Sequence, residues 1–381
     1  MYLPAKNTKL TVELASVDLT HGSEEVSVVS ADSLSSRERE CWASIRAANP
    51  DLSSPFFAFE YIEGVARFCD GIKVAILYRD GDAFAFWPFH EIKPGVAGPV
   101  GGKIGCMQGV ICSRDTQLDG MMLASSCGLH TWKFDHLLAS QETFSPFLFD
   151  TLESRYMDLS RGFDAYRKER AEAGHSNKAI RNGLASGRKL GREVGEIRFD
   201  PDCKDPAMLR QLIGWKQRQM RDTGIGDLFA RCPWIEPFVE STLSSDGDSF
   251  RGVLSVLYSD DIPIAAQFGF FSEGALHGIF LSFDRKFHRY SPGMVLLLEM
   301  AKHAQESGIK RIDLGKGGEP FKKRLMSTST VVGVGALESR PINAFLRSSG
   351  FALKKGVISA GIDRPIRSAR RLMGRLRYRL S

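Results

Sequence analysis

Between residues 275 and 325 the chain passes through an apolar run, a break, a helical stripe and a second apolar run. Residues 276–283 are apolar and aromatic, which predicts a buried strand. Arg289-Tyr290-Ser291-Pro292-Gly293 interrupts that run. Met294, Leu297, Leu298 and Ala301 then share one face of a helix expected over 294–306, with Gly308 just past its end. A second strand is expected over 309–314. A basic loop follows, carrying Gly315, Lys316, Gly317 and Gly318 and then Lys322, Lys323 and Arg324.

The remainder reads the same way. Short strands are expected at 10–14 and 25–29, and a helix at 36–48 with Cys41, Trp42 and Ile45 inward. The aromatic segment 53–61 reads as core and leads into a helix at 60–69. Residues 72–78 and 83–90 form a hairpin about Asp80-Gly81. Residues 253–258 and 262–271 form another, and both share a Leu-Tyr-x-Asp start, which suggests two related α/β halves. The glycine-rich stretch 94–109 lacks the strand-to-helix context of a phosphate cradle and reads as a loop lining a cleft. A helix is expected at 115–125 and a strand at 132–138. There Asp135 and His136, as strand neighbours, should face opposite ways and form no dyad. Further helices are expected at 178–190, 207–221, 233–243 and 342–355, with strands at 197–199 and 328–337.

Charge changes this picture at one place. The net charge of the 381-residue chain is +6, yet seven arginines lie between Arg364 and Arg379 with no acid after Asp363, which leaves about −1 for the rest. If helical, the 364–381 tail is a basic amphipathic segment suited to an anionic membrane surface or an acidic partner; otherwise it is a charged terminus. Seven scattered cysteines without a CxxC argue against a disulfide framework or a zinc site. No apolar run reaches the length of a membrane span, and residues 1–6 do not open a signal peptide, so a cytoplasmic protein is expected, with peripheral contact at the inner membrane through the tail.

A strand ending in a glycine turn at a helix N-terminus presents backbone N–H groups and a positive dipole end to an anion, often a phosphate. Arg289 and Lys322 would add charge-assisted bonds. Lys178 and Arg181, three apart on a helix, share a face that is either solvated or contacts a phosphate or anionic sugar.

Phe283-Asp284, Tyr290-Ser291-Pro292-Gly293, Gly308-Ile309, Ile312-Asp313-Leu314-Gly315-Lys316-Gly317 and Phe321-Lys322 resemble the pyrophosphate loop and flanking strands of the GNAT acyltransferase superfamily. With Lys178, Arg181-Asn182, Arg188-Lys189-Leu190 and Trp215-Lys216 upstream, the order is similar to that of the CelD/BcsL-type acetyltransferases of cellulose biosynthesis. The resemblance spans roughly residues 155–325. It implies an α/β (α+β) fold of tandem GNAT-like halves, with mixed central sheets flanked by helices. The expected division is 1–155, 156–340 and a helix with basic tail over 341–381.

The resemblance implies an acyl-CoA donor, acetyl-CoA or another, whose pantetheine enters between splayed strands 276–283 and 309–314, with no metal. Arg289, Tyr290, Ser291, Gly293, Met294 and Lys322 would hold it. The acceptor would be a hydroxyl or amine of a sugar or polysaccharide precursor. Asp313 is the best-placed base, unless it caps the Gly315 loop or pairs with Lys322. His277, expected on the side of Ile279 and Leu281, is the next candidate or else a core histidine. Gln267 and Asp284 would orient substrate, with Lys178 and Arg181. Two other readings stand beside this one. One is a FemABX-like transferase using aminoacyl-tRNA, in which basic segments meet nucleic acid. The other is a non-catalytic, membrane-associated assembly factor for a polysaccharide synthase.

Overall fold

The computed structural model describes residues 10–13, 24–172, 177–224, 226–245, 247, 249–317, 319–340, 343 and 347–351. The expected basic tail at 364–381 lies outside them, as does most of the expected 342–355 helix. The described residues fall into two compact units, one of Met1–Leu152 with Val331–Phe351 and one of Glu153–Thr330.

The first unit opens with β1 (Leu10–Glu13), β2 (Glu24–Ser30), α1 (Ser36–Ala48) and α2 (Phe59–Ala66). It continues with β3 (Ile72–Arg79), β4 (Asp82–Lys93), β5 (Val96–Gly98), α3 (Gly120–Ser126) and β6 (Thr131–Leu138). Strands β1 to β5 pair antiparallel in succession. β5 then runs parallel to β6, with α3 in the connection between them. A capping box starts α1, where the Glu38 N–H donates to the Ser35 hydroxyl and the Glu38 carboxylate accepts from Ser35 N–H. α1 turns Trp42 and Arg46 into the core, while Cys41 and Ile45 stay half-buried. Trp87, Trp132 and Phe144 centre this core, the two tryptophans edge to face at 4.9 Å. Phe56, Phe57, Phe59 and Tyr61 are all buried, as a core reading of that segment requires.

The second unit takes the later half of β7 (Leu148–Asp158), then α4 (Gly162–Glu172), α5 (Lys178–Glu193), β8 (Ile197–Asp200), α6 (Pro206–Thr223), α7 (Leu228–Arg231) and α8 (Ile235–Leu243). After these come β9 (Arg251–Ser259), β10 (Ile262–Ser272), β11 (Ala275–Phe283), α9 (Pro292–His303), β12 (Arg311–Asp313) and α10 (Pro320–Leu325). β8 to β11 pair antiparallel in succession, β11 runs parallel to β12 across α9, and β12 pairs antiparallel with β7. The order of the first unit is thereby repeated. Its last member there is β13 (Thr328–Glu338), which pairs antiparallel with β6. β13 was expected to close the 156–340 domain; from Val331 onward it belongs to the first unit, because its ladder partner is β6.

Several elements escape the sequence pattern, β7 and α10 among them. β7 carries few buried residues and so shows no clear alternation. α10 replaces the basic loop expected after β12, started by Pro320 in its first turn. α3 is shorter than expected because Asp119 caps it, its carboxylate accepting from the N–H groups of Met121 and Met122. Among the described residues no helix is long and apolar enough to cross a membrane.

Gly183 and Gly187 let α5 lie close on α9. A Cβ at Gly183 would stand 2.5 Å from Leu298 Cδ1 and 2.8 Å from Met294 Cγ, and one at Gly187 3.3 Å from Val295. Leu296, Leu297, Leu298, Ile312 and Leu276 fill the core beneath.

Candidate active site

β11 follows β10 from Ala275 to Phe283, but β12 accompanies it only where Ala275, Leu276 and His277 face Arg311, Ile312 and Asp313. The chain then turns away at Gly315, at φ +74°, where a Cβ would lie 2.6 Å from the Gly278 carbonyl oxygen. The parallel strands therefore part. Beyond His277, among the described residues, no strand pairs with this edge of β11.

A bulge sets the faces of β11. Phe280 pairs with Phe268 but Gly278 with Gly269, so Ile279 is an extra residue. Leu276 and Leu281 therefore both pack on the α9 side. His277, paired with Phe270, lies on the other face, where Phe270 meets Phe238 and Phe250. This corrects the expectation that His277 shares a side with Leu281: one inserted residue inverts the alternation.

His277 and Asp313 sit opposite each other, both fully buried, with His277 Nδ1 3.7 Å from Asp313 Oδ2. Arg311 donates from Nε and Nη2 to the same oxygen at 2.9 Å. Burial works against the carboxylate charge, but Arg311 and His277 outweigh it and hold Asp313 below the usual carboxylate range. Of the alternatives raised for Asp313, pairing with Lys322 is not what is found; its partner is Arg311. An ionised, enclosed carboxylate positions its neighbours and has no exposed face for an acceptor.

Lys322 is 5% exposed. It donates to the carbonyls of Gly315 (3.1 Å) and Lys316 and pairs with Glu319 at 3.0 Å, so it ties the turn after β12.

At the other end of β11, Asp284 caps a short 3-10 turn by accepting from Lys286 N–H at 3.0 Å. Ser291, left-handed at φ 51°, precedes α9 and makes no side-chain cap bond. Its N–H donates to the His288 carbonyl, and the N–H groups of Met294 and Val295 donate to its own carbonyl. Gly293 lies over Leu281 and Phe283, which a Cβ would meet at 3.6 and 3.7 Å. Arg289 pairs with Glu193 of α5 at 3.5 Å and donates to the Tyr290 hydroxyl. That buried hydroxyl donates in turn to Glu193 at 2.9 Å. The turn before α9 is thus fastened to α5.

Gln267 is buried on β10, and a Cβ at Gly278 would lie 2.7 Å from its Nε2, which places it at the parting of the strands. Lys178 and Arg181 are exposed on the first turns of α5. Asp313, His277, Gln267 and Lys322 gather where β11 and β12 diverge, while Arg289, Tyr290, Ser291, Gly293, Met294 and Asp284 gather at the start of α9.

Sequence reasoning gave Lys216 no role. Its Nζ donates to the Leu281 carbonyl at 3.3 Å, on the unpaired edge of β11. Burial lowers its pKa, with Lys322 adding to the fall and Glu319 opposing it. The signal was present: Leu209, Leu212, Ile213 and Lys216 recur at the spacing of one helix face, whose first three members are buried.

The first unit treats the same place differently. β5 and β6 run parallel only at Val96–Ala97 with Thr131–Trp132. The glycine-rich stretch then loops out and returns as Gln108–Ile111. The N–H of Gln108 donates to the His136 carbonyl at 3.1 Å, and Leu138 N–H to the Gln108 carbonyl at 3.0 Å. Ile111 and Phe86 exchange both backbone bonds, at 2.7 and 2.9 Å. This segment lies between β4 and β6. The Gln108 side chain accepts from the N–H groups of Asp135 and His136 and donates to Asp135 Oδ1 at 2.7 Å. Asp135 and His136, expected to point apart, approach to 3.5 Å. A hollow of about 800 Å³ in this unit lies beside Val110, Asp119 and Gln141.

Residues 178–323 match the family model of the acetyltransferase (GNAT) domain. Comparison with curated proteins gives no significant match. Among solved structures, the chain is similar to FemX at 9% identity and a TM-score of 0.53, over 80% of this chain and 96% of that one. It is also similar to a tandem GNAT protein from the clavulanic acid biosynthesis pathway, at 9% identity and a TM-score of 0.50, over 84% of this chain and 99% of that one. At such identities the shared property is the fold. The parallel strands crossed by α9, the repeated strand order and the matched domain agree: residues 178–323 of the second unit match a GNAT acetyltransferase domain, and the chain has a tandem GNAT-like fold.

Proposed function

We propose that the protein transfers an acyl group from acyl-CoA to a hydroxyl or amine of a sugar or polysaccharide precursor, the acceptor class implied by the resemblance to acetyltransferases of cellulose biosynthesis. The observation that carries the donor half is the parting of β11 from β12, with the uncapped start of α9 beside it. An extended pantetheine would pair with the free edge of β11 near Gly278–Leu281. The diphosphate would meet the first turn of α9 and Arg289. The exposed Lys178 and Arg181 suit an anionic acceptor. The arginine tail would keep the enzyme at an anionic membrane surface, where such precursors are handled.

Calorimetric titration with acetyl-CoA tests the donor. Saturable binding is expected, weakened by about 100-fold, or about 2.7 kcal/mol, in the Arg289→Ala/Gly293→Asp double variant. A folded wild-type protein that binds no acyl-CoA would overturn the reading. Binding of an aminoacyl-tRNA instead would favour the FemABX-like alternative, to which the exposed basic residues of α5 also lend themselves.

A further inference from the structure

We propose that Lys216 carries the proton in this reaction, taking it from the acceptor and returning it to the leaving thiolate. The inference rests on acyl-CoA as donor. The acceptor nitrogen or oxygen bonds to the thioester carbonyl carbon while its proton passes to neutral Nζ. The carbon–sulfur bond then breaks, and the thiolate takes that proton from the ammonium. No other reactant is consumed.

Position is the first argument. Lys216 is half-buried on the face of α6 that meets β11, and its Nζ reaches the Leu281 carbonyl on the edge that β12 has left. That contact places the amine beside the strand along which an extended donor would lie. Elimination is the second. Asp313 is enclosed and neutralised by Arg311, and Lys322 is already committed to two carbonyls and Glu319. Lys216 has one such bond, at 3.3 Å, in which Nζ donates, and this leaves the lone pair of the neutral amine to accept a proton. Electrostatics agree. Burial and the neighbouring Lys322 favour the neutral amine, and Glu319 moderates them. The elements packed on α6 bring few other titratable side chains: His277 on β11, Arg231 on α7, Glu236 and Glu240 on α8, and none on β10.

Arginine separates this role from a structural one. Lys216→Arg keeps a charged donor for the Leu281 carbonyl but gives up no proton at any accessible pH. In the full chain, trace labelling with acetic anhydride across the neutral and alkaline range, read by peptide mass spectrometry, should show Lys216 reacting at lower pH than surface lysines. Saturating CoA should protect it. Ordinary titration, or reactivity indifferent to bound CoA, would overturn the proposal. Thiol release from acetyl-CoA with glucosamine as probe acceptor should rise with pH through the same range. In Lys216→Arg it should fall at least ~100-fold and lose that limb, with acetyl-CoA binding retained. A variant that binds and turns over like wild type would sink the role of Lys216 and leave the acyltransfer reading standing. A wild-type protein that binds no acyl-CoA would remove both.

Discussion

In the second unit β11 and β12 part after His277 and Asp313 and leave an edge of β11 with one lysine on it. In the first unit the matching strands β5 and β6 also separate, but Gln108–Ile111 returns between β4 and β6 and takes up their backbone bonds. The helix starts differ in the same sense. Asp119 caps α3 with its own carboxylate, whereas the Ser291 side chain makes no cap bond on α9. One fold thus reaches the same two backbone sites and satisfies them internally in one copy but not in the other. The same sheet order is therefore a poor guide to where a ligand binds. What decides is whether the chain itself already supplies the strand and the anion.

The largest expected effect lies beneath the open wedge. Arg311→Met would leave the buried Asp313 carboxylate without its main partner and should cost about 3–5 kcal/mol at neutral pH. Because the native pKa of Asp313 is depressed, its contribution to stability is present above the unfolded carboxylate pKa and is lost as pH falls through the native one. Thermal unfolding should therefore show the gap between wild type and variant narrowing in acid; a gap independent of pH would deny Asp313 its charge.

The filled gap comes next. Gln108→Ala removes the acceptor for the N–H groups of Asp135 and His136 and should destabilise by about 1–3 kcal/mol in denaturant titration. Acetyl-CoA should still bind at one site per chain, with unchanged affinity. Two sites in the wild-type protein would abolish the contrast drawn between the units.

The smallest effect comes from giving α9 what α3 has. Ser291→Asp places a carboxylate at the helix start, competes with the donor diphosphate, and should weaken acetyl-CoA binding by about 10-fold, near 1.4 kcal/mol. Equal affinity in calorimetry would place the diphosphate elsewhere.

Much of this arrangement is visible in the amino-acid pattern, because both hairpins, α1 and the strand–helix–strand about α9 carry strong periodicity and clear breaks. β7 is not, since its partners rather than its own apolar residues make it a strand. The filling segment is not either, because nothing in Gln108-Gly109-Val110-Ile111 says which strands it will join. At the site, the clustering of Arg289, Tyr290, Ser291 and Gly293 at one helix start follows from adjacency in sequence. The link from Tyr290 and Arg289 to Glu193, and that from Asp313 to His277, needed the tertiary register. Lys216 was legible as one of the Trp215-Lys216 pair in the resemblance and as a charge on an apolar stripe, without a role.

The bulge at Ile279 makes the count of residues in β11 as informative as their kinds. Deleting that single position while keeping every other side chain would restore strict alternation through the strand. His277 and Leu281 would then stand three positions apart and keep the opposite faces they have now. The shorter strand would keep both faces, whereas the full strand paired without a bulge would put His277 and Leu281 on one side. Here the message is carried by spacing, in the manner of a reading frame.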